Sequence, residues 1–264
     1  MTPVEVVRGD CPIVLGLPHT GTDVPDAIRE RLNDTGAGLT DTDWHIHQLY
    51  SGLLDDVTTV RATFHRYVID ANRDPTGASL YPGQNTTGLI PVSDFDGQPI
   101  WRETPAAEDI ETRRAAFHAP YHAALEDEIA RLKARHGVTV LYDCHSIRSN
   151  IPFLFDGELP VLNIGTQDGV TCAGAIERAA VDAAERSGLS FVLNGRFKGG
   201  WTTRHYGRPA NGVHAIQMEI AQRAYLGAEA SPWTYGPAKA EPIRTALRTL
   251  LETIERLALA GDMK

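Results

Sequence analysis

Cysteine is scarce in this sequence, long apolar runs are missing, and positive charge is in deficit. The three cysteines, Cys11, Cys144 and Cys172, have no CxxC spacing and make an odd set. That argues against a disulfide framework and for a reducing, cytoplasmic location. No stretch of about 18 apolar residues occurs, so no membrane-spanning helix is expected. The N-terminus, MTPVEVVRGDCP, lacks a basic region followed by an apolar stretch, and no secretory signal is expected. With a net charge of -9, neither nucleic acid nor an anionic membrane surface is expected as the main partner. A small anionic substrate stays compatible, because a few arginines can dominate one pocket. No repeat, low-complexity block or Pro/Gly/Ser-rich linker divides the chain, and its 264 residues, 42% of them hydrophobic, read as a single domain over 1–264.

What is present is an alternation of two patterns. Short apolar or β-branched runs at 13–17, 58–63, 67–69, 138–142, 161–164, 191–193 and 215–218 read as buried strands. Helical spacing fills 105–136, where Ile110, Ala116, Tyr121, Leu125, Ile129 and Leu132 recur. Thr104 and Pro105 suit its start, and Pro120 predicts a kink or a break. Residues 172–187 read as a helix stopped by Gly188, and 237–259 as a long C-terminal helix. Strands interleaved with helices predict an α/β three-layer sandwich around a mixed, mainly parallel central sheet. Two stretches fall outside this pattern: DANRDPTGASLYPGQNTTGLIPVSDFDGQPIW at 70–101 and NGRFKGGWTTRHYGRPANG at 194–212. Segments of this length and composition are where substrate is expected to be held.

Polar residues follow apolar runs in four places. His19 follows IVLGLP, and Asp70, Asn72 and Arg73 follow YVI; Asp143, His145 and Arg148 lie in VTVLYDCHSIRSN, and Glu219 in VHAIQMEIAQ. Strand ends in layered α/β folds converge on ligands. Two imidazoles and a carboxylate suit a divalent metal, zinc first, with one position open to water. Taken singly, His19 or His145 also reads as a core or capping histidine, and Glu219 as a surface acid. Cys144 or Ser146 beside His145 raises a nucleophile, but adjacent residues on a strand project to opposite sides and no GxSxG elbow occurs.

PHTGTDVP, DTDWHIHQLY, RYVIDANRDP, SLYPGQNTTGLIP, YDCHSIRSNIP, LNIGT, NGRFKGGWTTRHYG and GVHAIQMEIAQ run in order through 18–222. Together they resemble the N-formylglutamate amidohydrolases. The resemblance implies a zinc-carboxypeptidase-like fold, shared with aspartoacylase-like deacylases, and one Zn2+ per chain. It implies hydrolysis of N-formyl-L-glutamate to formate and L-glutamate, in histidine breakdown. It also implies an order of roles: His19, an acid and His145 on the metal, Asn72 and Arg73 on the substrate, Glu219 as catalytic acid–base.

One departure stands out. The carboxypeptidase-like relatives take the second ligand three residues after the first, in HxxE, and here that position is Thr22, a poor ligand. The resemblance suggests Asp43 instead, with Asp23 in reserve and His45 and His47 nearby. Arg73 is expected to be catalytic and to grip a carboxylate bidentately; Arg148, Arg196 and Arg204 are candidates for the second carboxylate or the oxyanion. Asp143, two residues before His145, is expected to orient that imidazole from behind. The rival readings are a deacylase of another N-acylated acidic amino acid, a cysteine or serine amidohydrolase, and a metal-free binding protein for anionic amino acids.

Overall fold

Among the described residues seven strands form one sheet: β1 (Val4–Val7), β2 (Ile13–Leu17), β3 (Thr58–Ala62), β4 (Thr139–Ile147), β5 (Leu162–Gly165), β6 (Phe191–Leu193) and β7 (Val213–Ala221). In the computed structural model, which describes residues 2–79, 83 and 85–263, they lie in the order β1-β3-β2-β4-β7-β5-β6. Leu80, Tyr81, Pro82 and Gln84 of the SLYPGQNTTGLIP block lie outside the described residues. The pairs β3/β2, β2/β4, β4/β7 and β5/β6 are parallel, while β1/β3 and β5/β7 are antiparallel. The sheet is therefore mixed and mainly parallel, as the alternation of strands and helices predicts.

The helices are α1 (Asp26–Arg29), α2 (Asp34–Ala37), α3 (Ile46–Tyr50), α4 (Ala107–Arg113), α5 (Ala119–His136), α6 (Gly174–Ser187), α7 (Trp201–Tyr206) and α8 (Pro237–Ala260). α5 covers one face of the sheet, where Tyr121, Leu125 and Leu132 pack on Val14, Val60 and Leu141. α3, α6 and α8 cover the other, where Leu49, Ile176 and Leu250 join Leu15, Tyr142 and Ile216. Each fully buried aliphatic side chain in these layers contributes about 1.5–3 kcal/mol, and the two layers fix the sheet between them. The break expected at Pro120 takes the form of a π-helical turn, Arg114–His118, between α4 and α5. Pro120 has no N–H to offer the Ala116 carbonyl, and the wider turn absorbs that lost bond.

Three strand expectations change. The run at 67–69 is buried but lies in turns: Tyr67, Val68 and Ile69 are buried in the α5-side core without joining the sheet. β1 was not foreseen; at the sheet edge only one side is covered and its residues are mostly exposed, so VEVV carries little apolar signal. β4 and β7 run nine residues each, past the apolar runs at 138–142 and 215–218 and through the polar residues beyond them. Both are buried along their whole length, in register from Thr139 opposite Val213 to Ile147 opposite Ala221.

Candidate active site

Because β4 and β7 continue through their polar ends, side-chain alternation sorts those residues by face. Tyr142, Cys144, Ile216 and Met218 enter the core on the α6/α8 side. Asp143 and His145 face the other way, and register sets Asp143 opposite Gln217 and His145 opposite Glu219. Four polar side chains thus stand as two adjacent pairs on one sheet face. The cysteine-nucleophile reading fails here: burial drives the Cys144 thiol well above its ordinary pKa, and it lies on the opposite face from His145. Ser146 is also engaged, with the Tyr225 hydroxyl at 2.7 Å and Gln222 Nε2 at 3.3 Å from its Oγ.

The loops after β2 and β3 supply the rest. His19 stands two residues beyond β2, and Asp43 is brought beside it by its backbone N–H, which donates to the His19 carbonyl at 3.0 Å. Asp43 Oδ2 lies 3.2 Å from His145 Nδ1 and 3.8 Å from His19 Nδ1, and it accepts the Ser146 N–H at 3.1 Å. His19 Nε2 donates to Asp70 Oδ1 at 2.7 Å, while its Nδ1 is buried without a hydrogen-bond partner. His145 Nε2 lies 3.1 Å from Asp143 Oδ1 and 3.0 Å from Asn72 Nδ2. Asp143 is held in turn by the Thr203 hydroxyl, which donates to its Oδ2 at 3.0 Å.

Ligand atoms of His19, Asp43 and His145 all lie within 4.8 Å of one another, and among the described residues no other such group occurs. An orphaned imidazole nitrogen aimed at a carboxylate, with a second imidazole nitrogen on the same oxygen, fits a divalent cation at the centre. Both rings have their far nitrogen beside a buried carboxylate, Asp70 or Asp143, the arrangement that orients metal-bound histidines. Asp23 is exposed and outside the group. His45 Nε2 donates to the Trp233 carbonyl at 2.6 Å, and His47 Nδ1 is hydrogen-bonded to the Thr20 hydroxyl at 2.7 Å. None of these three reserves reaches the cluster.

The two imidazoles sit in opposite fields. Burial, then the nearby Arg66 cation, keeps His19 below its ordinary pKa. Burial also pushes His145 down, but Asp143 and Asp43 outweigh it and hold the ring well above its ordinary value. Asp70, despite burial, is held well below the carboxylate range by Arg66, Arg73 and His19. Arg66 donates from Nη2 to Asp70 Oδ2 at 2.7 Å, lies 3.9 Å from Asp43 Oδ1, and packs 4.7 Å from the centre of the Phe95 ring. Burial lifts the Glu219 carboxyl to about 7, against the pull of His145.

These residues open onto one cleft, which includes His19, Asp43, Arg66, Asn72, Arg73, Arg196, Gln217 and Glu219 in its wall. Arg73 donates from Nε and Nη2 to the Thr87 carbonyl and hydroxyl, at 2.9 and 3.0 Å. Arg196 donates from Nε to the Leu154 carbonyl at 3.1 Å and from Nη2 to the Asn85 carbonyl at 3.2 Å, so it joins the loops that form the outer wall. Arg148 and Arg204 stand outside the lining: Arg148 pairs with Asp96 at 2.8 Å, and Arg204 Nε donates to the Gly199 carbonyl at 2.8 Å. Their expected contact with substrate has no support in this placement. Sequence reasoning passed over Arg66, Gln217 and Thr203, and saw Asp70 only as a polar residue ending a run. The four-residue spacing of Arg66 and Asp70 was the one local hint of a pair.

Comparison with known proteins identifies related chains and a shared fold. The family model for N-formylglutamate amidohydrolase matches residues 11–226. N-formylglutamate deformylase of Pseudomonas putida is 43% identical over 251 residues, covering 94% of this chain and 93% of that protein. The deformylase of the same name from Pseudomonas aeruginosa is 44% identical over 251 residues, covering 94% of both. The crystal structure of N-formylglutamate amidohydrolase from Ralstonia eutropha JMP134 superposes with a TM-score of 0.83 at 23% identity, covering 99% of this chain and 100% of that one, which shows a shared fold.

Proposed function

This chain belongs to the N-formylglutamate amidohydrolase family, and on that premise we propose that it hydrolyses N-formyl-L-glutamate to formate and L-glutamate with one bound Zn2+. The observation that carries this reading is the convergence of His19, Asp43 and His145 around an unpartnered imidazole nitrogen, in the cleft that also holds Glu219. Zinc held by these three residues would bring the pKa of water toward about 7 and polarise the formyl oxygen.

The remaining work belongs to the chain. Glu219 accepts a proton from water as the water oxygen bonds to the formyl carbon. It returns that proton to the amide nitrogen as the C–N bond breaks, leaving the free amine and formic acid, which loses its own proton to become formate. Burial raises the Glu219 carboxyl above its ordinary pKa, the direction that suits a group that must both take and release a proton. Arg66, fixed between Asp70 and Asp43 in the cleft wall, offers a cation to the oxygen on which charge develops. Arg73 and Arg196 line the same cleft and grip the two carboxylates of the substrate, with Asn72 alongside. This local concentration of arginine lets a protein of net charge -9 bind a dianion. A cytoplasmic role in histidine breakdown completes the reading; three free, buried cysteines fit that location.

Formate release from N-formyl-L-glutamate tests the residue roles. Glu219→Gln should lose about 10²- to 10⁴-fold in kcat while keeping its zinc; wild-type turnover would remove Glu219 from the role. Arg73→Ala should raise KM at least as severely as it lowers kcat, and unchanged kinetics would remove Arg73.

A further inference from the structure

Gln217 is one of the buried polar residues of the cleft wall to which nothing above gives a task. It lies on β7 two residues before Glu219, on the same face, 4% exposed. Its side chain makes two hydrogen bonds: Oε1 accepts the Gly200 N–H at 2.6 Å, and Nε2 donates to Glu219 Oε2 at 3.2 Å. The backbone N–H of Gly200 can only donate, so it fixes which end of the amide is oxygen. The NH2 end is thereby obliged to face the Glu219 carboxylate.

We propose that Gln217 is a positioning residue for Glu219: it holds Oε2 as an acceptor, and so leaves Oε1 to exchange the proton with water and amine. A neutral amide suits this task better than a cation. An arginine or lysine in its place would bind the carboxylate with a charge-assisted bond and oppose its protonation, whereas the amide fixes geometry and leaves the proton exchangeable. The neighbouring backbone also fixes a second cleft amide. Asn72 Oδ1 accepts the Thr202 N–H at 2.8 Å, which turns its Nδ2 toward His145. One short stretch, residues 200–202, therefore orients two cleft amides through backbone donors. Position 200 must be glycine for the stretch to come this close, because a Cβ there would stand 2.3 Å from the Asn72 side chain.

This inference rests on the reading of Glu219 as the acid–base, and three variants of the zinc-loaded full chain separate the two. Gln217→Glu keeps an acceptor for the Gly200 N–H but loses the amide donor; Gln217→Met loses both; Glu219→Gln removes the base. Steady-state formate release, zinc content and Tm are measured for each. Positioning predicts that Q217E loses about tenfold or more in kcat with KM changed by less than about threefold and zinc retained. Wild-type kcat in Q217E with impaired Q217M would mean that Gln217 only anchors Gly200, and would overturn the proposal. Wild-type kcat in E219Q would sink the Glu219 reading and this one together; an inactive E219Q beside a fully active Q217E would sink this one alone. Should the new carboxylate cost Q217E its zinc or its fold, Gln217→Asn takes its place, withdrawing the amide by one methylene. A lowered kcat at unchanged KM supports the proposal there, and an unchanged kcat refutes it.

Discussion

The residues around the cleft divide into a strand-borne half and a loop-borne half that are held in different ways. His145, Asp143, Gln217 and Glu219 are spaced by the register of two fully buried central strands. Their positions follow from pleat and pairing alone, so little can move without breaking the sheet. His19, Asp43, Arg66, Asp70, Asn72 and Arg73 come from loops, and what holds them is one another. Arg66 and Asp70 are both buried and joined at 2.7 Å, with His19, Arg73 and the Asn72 N–H all on the same carboxylate. The strand half is rigid because of the fold; the loop half is rigid because its charges are mutually satisfied. A chemically similar substitution should therefore do more damage in the loops than in the strands.

The largest effect should come from the residue that touches both halves. Asp43 from the loops meets His19 and His145 on one oxygen, so Asp43→Ala should abolish stoichiometric zinc binding and formate release together. Metal analysis and the activity assay check it; retained zinc would transfer the ligand role elsewhere.

Next, the two supporting carboxylates put the halves side by side. Asp143→Asn should lower zinc affinity about 10- to 100-fold and leave the fold in place. Asp70→Asn should do the same and also take from the buried Arg66 cation its closer carboxylate, leaving only Asp43 at 3.9 Å, at a cost of up to about 3–5 kcal/mol in stability. Chemical denaturation of the two variants checks this; equal stability would erase the distinction between the halves.

The two imidazoles should also differ in their protons. Asp143 and Asp43 hold His145 well above its ordinary pKa, whereas burial and Arg66 hold His19 below its own, so at pH 7 the metal-free protein should carry a proton on the first ring in preference to the second. If His145 is a zinc ligand it would have to give up that proton, so zinc affinity should rise with pH up to the raised value, with a proton released per zinc near pH 7. Calorimetric titration in buffers of different ionisation enthalpy reads that release, and its absence would mean that His145 is already neutral.

The smallest effect belongs outside the cleft. Arg148 pairs with a half-exposed Asp96, so Arg148→Ala should leave KM and kcat unchanged, and a raised KM would return Arg148 to the substrate.

The same division explains what the sequence revealed. The apolar core of β4, the acid and imidazole two residues apart beyond it, and Glu219 beyond the matching run on β7 were legible because strand period makes them so. The run at 67–69 looked equally strand-like; its burial comes from packing under α5, and no neighbour offers it a ladder. Arg66 was illegible for the opposite reason. An arginine flanking an apolar run ordinarily stays at the surface, and only the fold shows it sealed between two aspartates. The Asp43 assignment depended on family resemblance, since nothing local joins a residue in a turn to an imidazole 24 positions earlier. Gln217 carried no signal at all, because its meaning lies in a backbone N–H supplied by the start of α7.

The most direct test is formate release from N-formyl-L-glutamate by the purified protein, before chelation, after chelation, and with zinc restored. Activity that disappears with the chelator and returns with zinc is the expected result. Activity that survives complete removal of metal, or that never appears on this substrate with zinc bound, would contradict it.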